Sequence, residues 1–337
     1  MNFNQILLIT ASLMGLCLSQ QSHALSCGDI ITTNTVMTAD LHCTSGYYAL
    51  EIQANNVTLD MNGHTLSGTN DLVGISVYSQ DKVTIRGGGA ITGFWVGINA
   101  SSSDVLEVDD ITFYDSGNGV IISSGSHALI KNNDFIKMSA EGVRIANHVP
   151  GLVANNNSVI NNEFYQNFVG IVVCGDDSDR HVFQDNLILK SQSYGIHLIQ
   201  SNRNQISSNQ ILDSGTTAMR LNNASYNTIK SNSLRIGRVG LSILADAGGR
   251  CLDTGSKTSY KNQFIGNHSI DFDTGIVVGV GLSSNDDVTL NYLNYNKLYD
   301  NDLGIFFNTD AHYNDATDNT YTGTLTEVSD VGVGNSY

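Results

Sequence analysis

A glycine followed by alternating apolar residues recurs along this chain about every 23 residues, and no other feature limits the fold more. The motif reads VGISV at Gly74, VGINA at Gly97, NGVII at Gly119, EGVRI at Gly142 and VGIVV at Gly170. It continues as YGIHL at Gly195, TAMRL at Ala218, VGLSI at Gly240, TGIVV at Gly275 and LGIFF at Gly304. An earlier copy, ALEI at Ala49, makes eleven. Successive intervals from Gly74 are 23, 22, 23, 28, 25, 23, 22, 35 and 29 residues. Repeats of this length are single supersecondary units that bury their apolar faces only by stacking on one another.

A second repeat runs in phase with the first. Asn133, Asn162, Asn186, Asn209, Asn232, Asn296 and Asn319 each precede a short apolar segment, and Asn267 fits with one extra residue. An Asn at one place in every unit can stack its amide on its neighbours and bond the freed backbone groups of a turn. Segments such as VTLDMNG, KVTIRGGG and ALIKNNDF are β-branched and alternate with period 2, and no LxxLxL signature or helical half appears. The unit is therefore one coil of a parallel β-solenoid. A single Pro, Pro150, suits continuous hydrogen-bonded ladders.

ANNVTLDMNGHTLSG (Ala54–Gly68) followed by KVTIRGGGAITGF (Lys82–Phe94) resembles the first coils of the right-handed parallel β-helix superfamily, with its pectin-lyase-like fold. The resemblance spans Cys27 to Tyr321. It is closest to bacterial carbohydrate-binding and sugar-hydrolase-type repeat proteins, including the NosD-like group. It implies an all-β, single-domain right-handed parallel β-helix of about 11 coils that binds or acts on polysaccharide.

The expected organisation is a signal peptide over 1–24, a cap over 25–48, the β-helix over 49–321 and a polar tail over 322–337. Ile6 to Leu18 is an apolar run too short to span a bilayer, and Ser22-His23-Ala24 offers a small-x-small cleavage site. No Lys or Arg precedes that run, and a lipoprotein reading at Cys27 is the alternative. The mature chain is expected to be secreted or periplasmic, with no membrane span. A formal charge of −16 disfavours nucleic acid and anionic membranes. Cys27, Cys43, Cys174 and Cys251 allow three pairings. Cys27–Cys43 is expected as a disulfide in an oxidising compartment, and Cys174–Cys251 forms if a loop brings the two together.

Strand alternation places Ile196 and Leu198 inward, so His197 is expected to point out into solvent. The same register lines up Ser76, Asn99, Ile121, Arg144, Val172, His197, Arg220, Ser242, Val277 and Phe306. Arg144, His197 and Arg220 then form a cationic track on an acidic protein. The loop after the Gly170 strand adds Asp176, Asp177, Asp179, Arg180 and His181. His148 and Asp246 extend the same flank, and the inserts Asn147–Asn157 and Ala247–Tyr260 stand ready to wall a groove.

Two functional readings follow. In an acidic-polysaccharide lyase or hydrolase, His197 is the base, Arg220 and Arg144 grip carboxylates, and Asp176 and Asp177 serve as acids or hold Ca²⁺. Arg144, His148, Arg180, Asn222 and Asp246 are the substrate-binding candidates. In a non-catalytic binder, Asn222, Asn223, Tyr194, Phe306 and Phe307 supply amides and aromatics. A third reading, a periplasmic accessory protein, rests on the NosD-like resemblance alone. The signatures of uronan epimerases (Asp-Pro-His-Glu), pectate lyases (Arg-x-Pro-x-x-Arg) and polygalacturonases (Gly-His-Gly) are absent. So are HExxH, CxxC and a phosphate loop, which leaves no motif for a catalytic zinc or a nucleotide.

Overall fold

The computed structural model describes residues 24–147, 153–175, 178–245, 251, 258–280 and 287–337. Those residues build an all-β parallel solenoid of about 12 turns. One coil shows the plan. Val182–Gln184, Leu187–Leu189 and Tyr194–Ile199 are its three strands. They pair in parallel with Gln205–Ser207, Gln210–Leu212 and Thr217–Asn222 of the next coil. The strand carrying the glycine motif forms what we call the glycine face. In three coils the second and third strands run together, as in Gln210–Asn222, with a register shift between Ser214 and Thr217.

The motif glycines are a packing requirement. A Cβ on Gly142 would lie 2.6 Å from the Phe164 ring and 2.8 Å from the Gly170 carbonyl oxygen. Gly142 is the second residue of its strand, Glu141–Ala146, so the glycine lets the coil close inward over bulky side chains from the second face. There Phe113, Phe135 and Phe164 stack with centroids 4.8 Å apart, the spacing of the coils themselves.

The asparagine column bonds as a ladder. The Asn186 side chain donates to Asn209 Oδ1 at 2.9 Å, and Asn209 donates to Asn232 Oδ1 at 2.9 Å. Each Oδ1 also accepts the backbone N–H of the Asn in the preceding coil, as from Asn186 to Asn209 at 3.0 Å. The residue before each Asn turns the corner in the left-handed region, as at Asn161 (φ 55), Asp185 (φ 53) and Ser208 (φ 58). A second ladder, unforeseen in the sequence, runs Asn204, Asn227, Asn262, Asn291, Asn314 and Asn335 along the corner after the glycine face.

The ladders also reach both ends of the described chain. Asp29–Ile31, within the expected cap, pairs with Leu50–Ile52, and the Cys27–Cys43 disulfide ties this first coil. Thr326–Asp330, within the expected tail, pairs with Leu303–Phe307. The expected leader falls almost entirely outside the described residues, as does its cleavage motif apart from Ala24.

Asn209→Ala deletes one rung and strands the buried N–H groups of Asn186. We expect a loss of about 3 kcal/mol in unfolding free energy, from several unmet polar groups. Exposed Asn161→Ala, at the equivalent corner two coils earlier, serves as the control in urea melts and should cost about 1 kcal/mol or less.

Candidate functional site

The outward column of the glycine face has the expected register: Val172 pairs with His197, His197 with Arg220 and Arg220 with Ser242. Its exposure is not as expected. His197 is only 3% exposed, and Val172 is fully buried. On this outer surface Ala146, Val169, Val172, Cys174 and Ile199 form a second apolar cluster, against which Phe168, Tyr194 and Cys251 pack. Cys174 and Cys251, 77 residues apart, are joined by a disulfide that sets Cys251 against this cluster. The Tyr194 ring lies 4.6 Å from the His197 ring. His197 is thus outward in register yet covered, because the outer side of a strand faces water only where nothing packs on it.

The two arginines of the track are held differently. Arg144 lies 3.7 Å from Glu141, whose side chain is almost fully buried. Arg220 donates from Nε to Asn222 Oδ1 at 2.6 Å and from Nη1 to the Tyr194 hydroxyl at 3.0 Å. Its guanidinium also sits 5.3 Å from the Tyr194 ring centroid. Asn222, expected to meet ligand, is fully buried and orients Arg220 instead. Phe307, expected as a surface aromatic, belongs to the core, while Phe306 is half-buried. His148, Asp176, Asp177 and Asp246 lie outside the described residues, and with them the expected Ca²⁺ site.

His181 and Asp179 are structural. His181 stands within the second asparagine ladder, between Asn157 of the preceding coil and Asn204 of the next. Its Nδ1 accepts the Asn157 N–H at 3.2 Å, so Nε2 carries the proton and meets Ser178 Oγ at 3.1 Å. Burial pushes its pKa down from 6.5 to about 3. Asp179 accepts the Asn202 N–H at 2.7 Å and Arg203 at 3.3 Å. Burial raises its pKa, against the pull of Asn202 and Arg203.

The corner that follows the glycine face opens into a cleft of about 320 Å³, lined by Asn202, Arg203, Asn223, Ser225, Tyr226, Thr258 and Tyr260. Each residue just before a second-ladder position occupies a left-handed corner and projects from the coil. Four successive coils place Arg180, Arg203, Tyr226 and Lys261 there. The Tyr226 ring lies 5.5 Å from the Arg203 guanidinium and 5.6 Å from Lys261 Nζ. Tyr226 and Tyr260 stand edge to face at 5.0 Å, and the neighbouring Tyr226 side chain raises the Tyr260 pKa. Arg203, Tyr226 and Lys261 were missed in the sequence. Their signal was a basic and aromatic column immediately before Asn204, Asn227 and Asn262.

A family described as right handed beta helix region matches residues 15–182. The chain is a right-handed parallel β-helix protein. A second family, described as periplasmic copper-binding protein (NosD), matches residues 140–276 of this β-helix. No curated protein matches the chain. Among solved structures, the Azotobacter vinelandii mannuronan C-5 epimerase AlgE6 A-module is similar at TM-score 0.73 and 11% identity, covering 91% of each chain. The Streptococcus pneumoniae surface protein and adhesin PfbA is similar at TM-score 0.57 and 13% identity, covering 89% of this chain and 91% of its own. The periplasmic alginate epimerase AlgG is similar at TM-score 0.52 and 11% identity, covering 91% of this chain and 76% of its own.

Among the described residues of the NosD-matched segment, His181, His197 and Cys174 do not fit a copper site. Both His181 ring nitrogens are engaged within the fold, His197 is covered by Tyr194, and Cys174 is oxidised to a disulfide. Among the described residues no group of three His, Cys, Asp or Glu side chains is placed to hold a metal ion.

The depressed His181 pKa sets an acid limb. The unfolded chain protonates this ring near pH 6.5 and the folded chain only near 3, so the contribution is complete above 6.5 and is lost as pH falls from 6.5 toward 3. The loss is on the order of 5 kcal/mol across that window. His181→Asn, which restores the ladder residue, should give a flatter stability profile between pH 6.5 and 3 in urea melts. Equal acid slopes for the two proteins would refute the assignment.

Proposed function

We propose that this β-helix protein binds an acidic polysaccharide along the corner column Arg180, Arg203, Tyr226 and Lys261. One observation carries the reading: a protein of net charge −16 sets three cations and a tyrosine on consecutive coils, beside an open cleft rich in amides and hydroxyls. Coils about 4.8 Å apart spread this column over roughly 14 Å, enough for several saccharide units. Arg forks bond carboxylates bidentately, tyrosine faces pack on pyranose C–H surfaces, and Asn202, Asn223 and Ser225 suit sugar hydroxyls. Cation–π contacts hold Arg203 and Lys261 over Tyr226, and Arg203, which also pairs with Asp179 at 3.3 Å, stays about half exposed. The similarity to a mannuronan C-5 epimerase and to an alginate epimerase supports a polysaccharide partner.

Binding is favoured over cleavage because His197, the base of the lyase reading, is buried, with the Tyr194 ring 4.6 Å from its own. Two disulfides suit an oxidising location, periplasmic or outside the cell.

Affinity electrophoresis in gels containing alginate or polygalacturonate, with dextran as the neutral control, tests the reading. Arg203→Ala and Tyr226→Ala should each weaken retention by acidic polymers about tenfold, and added salt should weaken it further. Unchanged retention of both variants would exclude this column as the binding surface.

A further inference from the structure

The opposite edge of the glycine face, the corner that precedes it, carries a second column with its own chemistry. Lys137, Gln166 and Lys190 occupy this corner in three successive coils, all in the left-handed conformation, with φ of 58, 57 and 54. That backbone projects the side chains away from the coil. Lys137 Nζ lies 5.5 Å from the Tyr114 ring centroid, and Lys190 Nζ lies 6.0 Å from that of Tyr165. Each lysine therefore leans on a tyrosine of the preceding coil, and among the described residues neither meets a carboxylate within 4 Å. Between them lies a groove of about 470 Å³, lined also by Met138, Ser139, Gln166 and Gln192.

We propose that this groove is a second, independent anion site that takes a short acidic oligosaccharide. The two ammonium groups are two coils apart, roughly 10 Å, a span over which alternate carboxylates of a uronate chain can each meet one lysine. Gln166 stands midway, and the exposed Gln192 and Ser139 offer hydrogen bonds to hydroxyls. Tyr114 and Tyr165 add apolar faces while leaving the lysine charges intact. The column also has ends. Asp115 precedes Lys137 and Asp213 follows Lys190 at the same corner, both exposed and both with positive φ. Their carboxylates repel an anion running farther along the axis, so the site is sized for a few sugars.

The proposal borrows its ligand class from the preceding reading but not its site, and calorimetry with a galacturonate tetrasaccharide separates the two. The full chain should bind two tetrasaccharides. Lys137→Gln with Lys190→Gln should lower the stoichiometry to one, through at least a tenfold loss at this groove, whereas Lys137→Arg with Lys190→Arg should retain both sites. Asp213→Asn should tighten the same site several-fold. A Lys137→Gln, Lys190→Gln variant that melts like the parent and still binds two overturns the proposal. If Arg203→Gln with Lys261→Gln changes nothing while the lysine pair abolishes all binding, the corner-column reading fails and this one stands. Absence of heat from the unaltered chain, or equal heat with a neutral malto-oligosaccharide, refutes this proposal.

Discussion

Everything in this molecule depends on one distance, the spacing of about 4.8 Å between parallel hydrogen-bonded coils. At that separation the same residue type in successive coils can interact with itself. Asn amides bond Oδ1 to Nδ2 in an unbroken line, and each Oδ1 takes a backbone N–H that the tight corner would leave unmet. Phenylalanine rings stack at 4.8 Å, and glycines face glycines where a Cβ would strike the ring or carbonyl opposite. A single unit gains none of these contacts alone, so the repeat stands or falls cooperatively.

The same spacing builds surfaces. A corner residue repeated through several coils becomes a column, and its chemistry is set by which residues fill one position. One corner of the glycine face carries Arg180, Arg203, Tyr226 and Lys261, and the other carries Lys137, Gln166 and Lys190. Both put cations on an acidic chain and hold several of them by tyrosine rings, although Arg203 also pairs with Asp179. The glycine face between them is closed in its middle coils by the Cys174–Cys251 disulfide and the apolar cluster around it.

Much of this was legible because stacking leaves periodic marks. The glycine motif placed His197 beside Arg220, and the first asparagine column is a bonded ladder throughout. His181 looked like a member of an acidic loop, yet it replaces an Asn in an interior ladder. One residue's identity does not say whether its turn curls inward. Arg203 and Tyr226 went unnoticed because their column is defined relative to the second ladder, whose interval shifts with the insert before Tyr260.

By itself the sequence determined the solenoid, its coil boundaries and the inward or outward parity of each strand residue, since all three follow from a local period of 2 within a repeat near 23 residues. Only the tertiary structure decided which outward residues meet water. His197 has the parity of a surface residue and the burial of a core one, with the Tyr194 ring beside it, just as Val172 in the preceding coil is buried in a cluster that Cys251 joins from 77 residues beyond Cys174. Parity is a property of the strand, whereas exposure depends on every other segment that packs against it.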